Sequence, residues 1–304
     1  MTQPRMSIVL IAYDMAREIP RTVLSCLPPY QRHAQPGDIE VIVVDNGSSR
    51  PVPKDVRDSW PESVRYVEME APVPSPARAL NHGLSLARGA LVCPMIDGAR
   101  LLSPGIFSAA IELGRISAFP VIATLGYHLG AKPQQFNPDH TAESEDALLA
   151  SVNWPDTPDR LLEISCLGGS SGAGLLHLPS ESNATILRRE FLDRVGGFDE
   201  RFEEPGGGLV NLDFFKRCVE HPLGELFLLT AEGSFHQVHG GASTTFEEAS
   251  QARQTVTDRW RADYERIHGV PFERSRRQPR LYGILPDSLL DATVKAHAIR
   301  SGQD

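Results

Sequence analysis

The chain has no excess of positive charge. Its 30 lysines and arginines are outnumbered by 39 acids, for a formal net charge of −9 over 304 residues. General nucleic-acid binders carry a basic face, so that class is set aside, although one local cationic pocket for a phosphate is compatible with the total. Cysteine is scarce. Cys26, Cys93, Cys166 and Cys218 stand far apart and form no C-x-x-C pair. That spacing supports neither a zinc site nor a disulfide framework and fits buried thiols in a reducing compartment. No apolar run approaches the roughly 18 residues a membrane-spanning helix needs. The opening from Met1 to Arg5 is polar and passes directly into a strand-like run, so no secretory signal is expected. No internal repeat or low-complexity stretch is present. The expectation is a soluble, cytoplasmic protein, and a hydrophobic content of 41% is enough for a sizeable core.

What the chain does have is regular alternation. Ser7 to Ala12 is a β-branched apolar run and reads as a buried strand. Arg17 to Cys26 reads as a helix with Ile19, Val23 and Leu27 on one face, closed by Pro28 and Pro29. Ile39 to Val44 is a second strand, ending in the turn-formers Asp45-Asn46-Gly47-Ser48-Ser49, and Val64 to Val67 is a third. A proline-rich loop leads to a helix over Ala77 to Arg88, and the strand from Leu91 ends in Asp97-Gly98-Ala99-Arg100. This order predicts a parallel sheet with right-handed crossovers.

Beyond it, Pro104 to Leu113 reads as a helix and Val121 to Leu125 as a strand. Residues 130–160 are polar, with an acidic run at 143–146 and a partly helical end at Ala147 to Val152; they read as a solvated surface excursion. Leu161 to Leu167 is strand-like and enters a glycine cluster, Gly168 to Gly174, that lacks the lysine of a P-loop. Ile186 to Val195 is helical, the loop ending in Pro205 to Gly208 reads as mobile, and Leu209 to Val219 is a helix. Leu226 to Leu229 and Ser234 to His236 are strands, followed by a charged helix from Phe246 to Ile267.

Ligands of open α/β sheets collect beyond the carboxyl ends of the strands. Asp14, Asp45, Asp97 and the pair His236/His239 stand at such ends, and Arg78 and Asn81, three apart on one helix, share a face. An arginine among strand-end carboxylates suits a ligand with a hydrogen-bonding base or ribose and an anionic phosphate. For Asp45 and Asp97 the alternative is a plain turn cap. Because alternate strand residues face opposite sides, only one of His236 and His239 is expected to point into the site.

Taken in register, these segments resemble a family 2 glycosyltransferase of the GT-A fold. The resemblance rests on Ile8 to Asp14, Val43 to Ser48, Ala77 to Gly83, Ile96 to Ala99, Gly196 to Phe202 and His239 to Thr244, and covers about residues 6 to 245. It implies a mixed, mainly parallel sheet flanked by helices and an inverting transfer of a sugar from a nucleotide diphosphate. By the same resemblance Ala12, Tyr13 and Asp14 line the nucleotide pocket, Asp45 binds the base, Arg78 contacts the nucleotide or its phosphates, and Asp97 reaches the ribose and the metal-diphosphate. Residues 6–103 are then the nucleotide-binding half, 104–245 the acceptor half and 246–304 a helical extension.

Two departures stand out. The second acid of the family's D-x-D falls on Ala99, with Arg100 beside it. Either His239 or His236 joins Asp97 in holding a divalent cation, Mg²⁺ or Mn²⁺, or the metal is dispensable and Arg100 supplies the positive charge. The family's catalytic aspartate falls on Asn211, which cannot accept a proton. Asp213 remains as a base or as the ion-pair partner of Arg217, and Glu203 and Glu204 are further candidates.

The acceptor is a carbohydrate, a lipid-linked group or a small molecule. A tail with Arg274, Arg276, Arg277 and Arg280 leaves room for peripheral contact with an anionic carrier, or is a solvated face. Two competing readings are a non-catalytic nucleotide-sugar-binding protein and a serine hydrolase built on Ser170 of Gly168-Gly169-Ser170-Ser171-Gly172.

Overall fold

The computed structural model describes residues 3–137, 139–175, 177–240, 251–284 and Asp287. Unbroken apolar runs form strands covered on both faces. In order come β1 (Met6–Ala12), α1 (Glu18–Cys26), β2 (Ile39–Asp45), α2 (Lys54–Asp58), β3 (Val64–Glu68), α3 (Ala77–Leu86) and β4 (Leu91–Met95). The chain continues through β5 (Arg100–Leu102), α4 (Ile106–Ile116), β6 (Pro120–Leu129), α5 (Ala142–Ser151), β7 (Ser165–Leu167), β8 (Leu187–Arg188) and α6 (Arg189–Val195). It closes with α7 (Val210–Glu220), β9 (Glu225–His236), α8 (Gln251–His268) and β10 (Arg280–Tyr282).

These strands make two sheets. The first has the order β3-β2-β1-β4-β8, parallel except for β8. The second has the order β10-β9-β6-β7, with β5 antiparallel on β9. A bridge between Ile122 and Ile186 joins them. The architecture is the mostly parallel α/β arrangement expected. Alternation along β1 divides the core: Val9 and Ile11 pack with Leu80 and Leu84 of α3, whereas Ile8 and Leu10 pack with Ile19 of α1 and Phe107 of α4. Each such aliphatic side chain, fully buried, contributes about 1.5–3 kcal/mol. The layering puts the ends of β1, β2 and β4 at one edge, where the backbone N–H groups of Asn46 and Gly98 donate to the Ala12 and Ile11 carbonyls.

Several elements differ from expectation. The strand expected over 161–167 is a 3₁₀ helix, Pro158–Ile164, with only Ser165–Leu167 extended. Proline at its first position favours a helical turn. The helix expected from Ile186 begins only at Arg189, because Leu187 and Arg188 pair with β4. β6 runs on to Leu129, carried by pairing of Gly126 to His128 with Ser234 to His236, and the two late strands are one, β9. The loop read as mobile is a formed turn: Gly206 N–H donates to Pro74 O and Gly207 N–H to Glu204 O.

The polar excursion is the largest correction. α5 starts under a Thr141–Ser144 capping box, and Gln134, Glu145, Leu149 and Leu161 are buried. An acidic run reads as solvated, but Glu145 faces inward against Arg17. In the tail, 280–282 is a strand rather than helix. Phe246 to Ser250, Gly241 to Thr244 and most of the chain after Ile284 lie outside the described residues.

The turn after β4 has no room to spare. A Cβ on Gly98 would come within 2.4 Å of the Ile11 carbonyl oxygen and 2.7 Å of Ile19 Cδ1. Gly98→Ala is expected to destabilise the protein by about 1–3 kcal/mol, as overpacking does. Gly114→Ala, in mid-helix where a Cβ would make ordinary contact with Leu91 at 3.7 Å, is expected to stabilise it by up to about 1 kcal/mol. Urea unfolding of the two variants should move the midpoint in opposite directions.

Candidate active site

β4 ends at Met95, the chain turns, and β5 returns along β9 with Arg100 opposite His236. That pairing brings Asp97 to the end of β9. Asp97 Oδ2 lies 3.0 Å from His236 Nε2 and accepts from Arg100 Nε at 3.0 Å; Asp97 Oδ1 lies 3.4 Å from His239 Nε2 and accepts from Ala99 N–H at 3.0 Å. The capping role is therefore present, and it uses one lone pair only. The two histidines face each other, Nε2 to Nε2, at 3.1 Å. One ligand atom from each of Asp97, His236 and His239 lies within 4.8 Å of the others, a donor set that suits a divalent cation.

The expectation that only one histidine of the pair points inward is corrected. β9 stops at His236, so strict alternation does not extend to His239. Gln237, between them, turns the other way, with its N–H on Ala99 O and its amide Nε2 donating to Thr22 Oγ1 at 3.1 Å.

Hydrogen bonding fixes the protonation of this cluster. Gln134 Nε2 donates to the His236 carbonyl at 3.2 Å, which leaves Gln134 Oε1 facing His236 Nδ1 at 2.6 Å. Nδ1 must then carry the proton, and a neutral His236 presents its Nε2 lone pair to Asp97 Oδ2. Burial pushes the His236 ring down to about 4, which keeps it neutral, and pushes the neighbouring His128 down to about 3. Burial also opposes ionisation of Asp97, but its interactions with His236, His239 and Arg100 outweigh that and hold the carboxyl well below its ordinary range. Burial likewise disfavours a charged His239, but the Asp97 carboxylate overrides it and raises the ring. One proton on His239 Nε2 serves only one of the two acceptors it faces. Opposed lone pairs therefore remain at the centre of the cluster.

The remaining sequence candidates line the same edge or brace it. Ala12 is buried at the end of β1, while Tyr13 projects with 58% exposure. Asp14, at φ 52°, accepts from Arg50 N–H at 2.8 Å and from Ser49 Oγ at 3.1 Å, tying the first loop to the second. Asp45 is buried; its Oδ1 accepts from Gly47 and Ser48 N–H, and its Oδ2 from the Tyr66 hydroxyl. Arg78 is half-buried and donates to Ala71 O. Asn81 clasps the loop after α6: its amide donates to Phe198 O and Glu200 Oε1, and its Oδ1 accepts from Phe198 N–H.

On the acceptor side Asp213 is 1% exposed, accepts from Arg217 Nε at 2.7 Å and lies 3.3 Å from His268 Nε2. Glu204 pairs with Arg259 at 2.8 Å. Asn211 donates from Nδ2 to Glu181 Oε2 at 2.7 Å. Glu181, half-buried, carries no motif that sequence reading could have found, and neither do His128, Gln134 and Glu145. In the tail Arg277 donates into Gly224 O at 2.7 Å and Arg280 pairs with Glu225 at 3.2 Å, so those two cations serve the fold.

Ser170 sits on a 3₁₀ turn, Gly169–Ser171, with turn rather than α-helix behind it. A nucleophile elbow requires strand, serine and helix in sequence. Among the described residues no histidine or carboxylate hydrogen-bonds its hydroxyl.

Residues 7–95 match the family model described as Glycosyl transferase family 2. They span β1 to β4, with Asp14, Asp45, Arg78 and the approach to Asp97. The whole chain resembles solved structures of TarS from S. aureus. Against TarS 1–349 the TM-score is 0.50 at 14% identity, over 99% of this chain and 73% of that one. Against the same fragment in complex with UDP-GlcNAc the TM-score is 0.53 at 13% identity, over 97% and 73%. The match to the longer TarS structure spans 44% of its length. No curated protein matches the chain significantly. These likenesses show the GT-A fold for the chain, with a segment similar to family 2 glycosyltransferases over residues 7–95. Ser170 is accordingly expected to remain unlabelled by a fluorophosphonate probe that labels a control esterase; labelling abolished in Ser170→Ala would revive the hydrolase reading.

Proposed function

We propose that the protein transfers a sugar from a nucleotide-diphosphate donor to a hydroxyl acceptor with inversion at the anomeric carbon. The observation that carries this is the convergence of Asp97, His236 and His239 at the carboxyl edge of the sheet. A shared divalent cation would satisfy their opposed lone pairs and supply Lewis-acid charge to a diphosphate. Two imidazoles and one carboxylate suit Mn²⁺ better than Mg²⁺, which prefers oxygen ligands.

Around that centre the chain's own residues divide the work. Tyr13 offers an exposed ring to the base, Asp14 and Asp45 bound the nucleoside pocket, and Arg78 stands beside it as a cation for phosphate. Arg100 neutralises Asp97 from the protein side. Residues 6–103 make the donor half, 104–245 the acceptor half, and 246–304 an extension whose helix α8 pairs with the acceptor half through Arg259 and His268.

Inversion needs a base opposite the leaving group. Asn211 has no proton-accepting charge, Asp213 is buried under Arg217, and Glu204 is engaged by Arg259. Glu181 is the carboxylate that Asn211 holds, and we assign it the role of base. At Gly126 the neighbouring wall carries Ser170 Oγ and Arg100 Nη1, and Ser180 N–H binds Ser170 O, so Glu181 follows directly on a segment that borders Arg100. Glu181 takes the acceptor hydroxyl proton, the acceptor oxygen bonds to the anomeric carbon, and the carbon–oxygen bond to the diphosphate breaks with its electron pair on the departing nucleoside diphosphate.

UDP-GlcNAc is the first donor to test, because TarS has been solved with it. In a thermal-shift screen of UDP-, GDP- and dTDP-sugars with and without Mn²⁺ or Mg²⁺, one nucleotide class should raise Tm, and more so with Mn²⁺. Saturation at a hundred times Kd is worth about 2.7 kcal/mol. No shift with any donor would overturn the reading. Glu181→Gln should lower nucleoside-diphosphate release about 10²–10⁴-fold, the usual worth of a general base, at unchanged donor affinity. Unchanged turnover would return the role to Asp213 or Glu204.

Among the described residues no helix is long and apolar enough to cross a membrane. The acceptor is drawn from carbohydrates, lipid-linked groups and small molecules.

A further inference from the structure

The segment between β6 and the 3₁₀ helix at Pro158 reaches the cluster at two points. Gln134 holds both the ring and the carbonyl of His236. Glu145, with 0% of its surface exposed, accepts from Val238 N–H through Oε2 at 2.6 Å and from Arg17 through Oε1 at 3.1–3.2 Å. Arg17 closes the other side, with Nη1 3.4 Å from Val238 O and Nη2 on Ala142 O at 2.9 Å. The Val238 peptide is thus held by its N–H and its carbonyl together.

Val238 lies between the two histidines. In an extended chain His236 and His239 would face opposite sides, so their convergence on Asp97 depends on how the chain bends at residues 237–238. An uncompensated buried carboxylate costs several kcal/mol, and an isolated surface helix has no need of one. Here one oxygen of that carboxylate pairs with Arg17 and the other is spent on a backbone amide of the turn. Gln134 meets a second requirement: by accepting the Nδ1–H hydrogen bond of His236 it keeps the proton on Nδ1 and leaves Nε2 unprotonated and aimed at Asp97.

We propose that Gln134 and Glu145 are positioning residues for a cation site formed by Asp97, His236 and His239, Gln134 by setting the tautomer of His236 and Glu145 by fixing the bend that returns His239. The segment at 130–151 is then a built part of the active site rather than a surface insertion. This rests on the cation-site reading given above.

The test is Mn²⁺ binding, read from the electron paramagnetic resonance signal of the free ion, on wild type and on Asp97→Asn, Gln134→Leu, Gln134→Glu and Glu145→Ala, with near-UV circular dichroism to establish folding. Loss of an outer-shell partner of a metal-binding histidine typically weakens metal affinity by about 10–100-fold. Gln134→Leu and Glu145→Ala are expected to lose that much, and Gln134→Glu, which keeps an acceptor for Nδ1–H, to recover to within a few-fold of wild type. Metal-free UDP affinity should be unchanged in the Gln134 and Glu145 variants.

A folded Gln134→Leu with wild-type Mn²⁺ affinity, while Asp97→Asn has lost it, overturns the positioning proposal and leaves the cation site standing. Equal Mn²⁺ binding by wild type and Asp97→Asn, or none by wild type, overturns both. Should Glu145→Ala not fold, the two Gln134 variants decide the question alone.

Discussion

Three groups with more lone pairs than protons between them are brought together at the carboxyl edge of the sheet. A carboxylate, a neutral imidazole with its lone pair turned inward and a second imidazole meet around one point, 3.0 to 3.4 Å apart. Folding tolerates such an arrangement only where surrounding structure over-determines it. Here it does. β5 pairs with β9 and pins Asp97 to His236, Arg100 bonds the carboxylate from behind, and Gln134 fixes the ring that would otherwise be free to exchange its proton. A site with more acceptors than protons to fill them is complementary to a cation, and with a diphosphate bound the charges would balance.

The rest of the architecture follows from holding that edge still. Parallel strands with helices on both faces give β1, β2 and β4 a dry, inflexible frame, and their carboxyl ends carry Asp14, Asp45 and Asp97 to a common side. The second sheet contributes the opposite wall through β6 and β9, so the cluster sits where two sheets abut. α7 supplies Asn211 and, with α8, the Asp213, Arg217 and His268 group that brings α8 against the domain.

The parallel half was legible in the sequence because strands buried on both faces announce themselves as continuous apolar runs, bounded by Asp45-Asn46-Gly47 or Asp97-Gly98. Asp97 and His239 were singled out from the order of weak motifs rather than from any one of them, and the structure brings the two together. β5 was not: three residues are too few to show a period. The turning-in of both histidines was hidden because it depends on where a strand stops. Glu145 illustrates a deeper limit. In a run of Glu143-Ser144-Glu145-Asp146 each acid looks equally exposed; Arg17 pairs with buried Glu145 and exposed Asp146 alike, and the Val238 amide, 93 residues away, is the partner that sets Glu145 apart. Glu181 gave no signal because the amide that holds it, Asn211, comes from another element and leaves no local pattern.

The account stands or falls on what occupies the space between Asp97, His236 and His239. Crystals grown with Mn²⁺ and UDP, measured at a wavelength where manganese scatters anomalously, give the most direct answer. The predicted result is one anomalous peak about 2.0–2.3 Å from an Asp97 oxygen and from Nε2 of both histidines, the range of ordinary metal–ligand bonds, with the diphosphate beside it. A diphosphate bound at this edge with no anomalous peak there, or with the peak held by other residues, would contradict it.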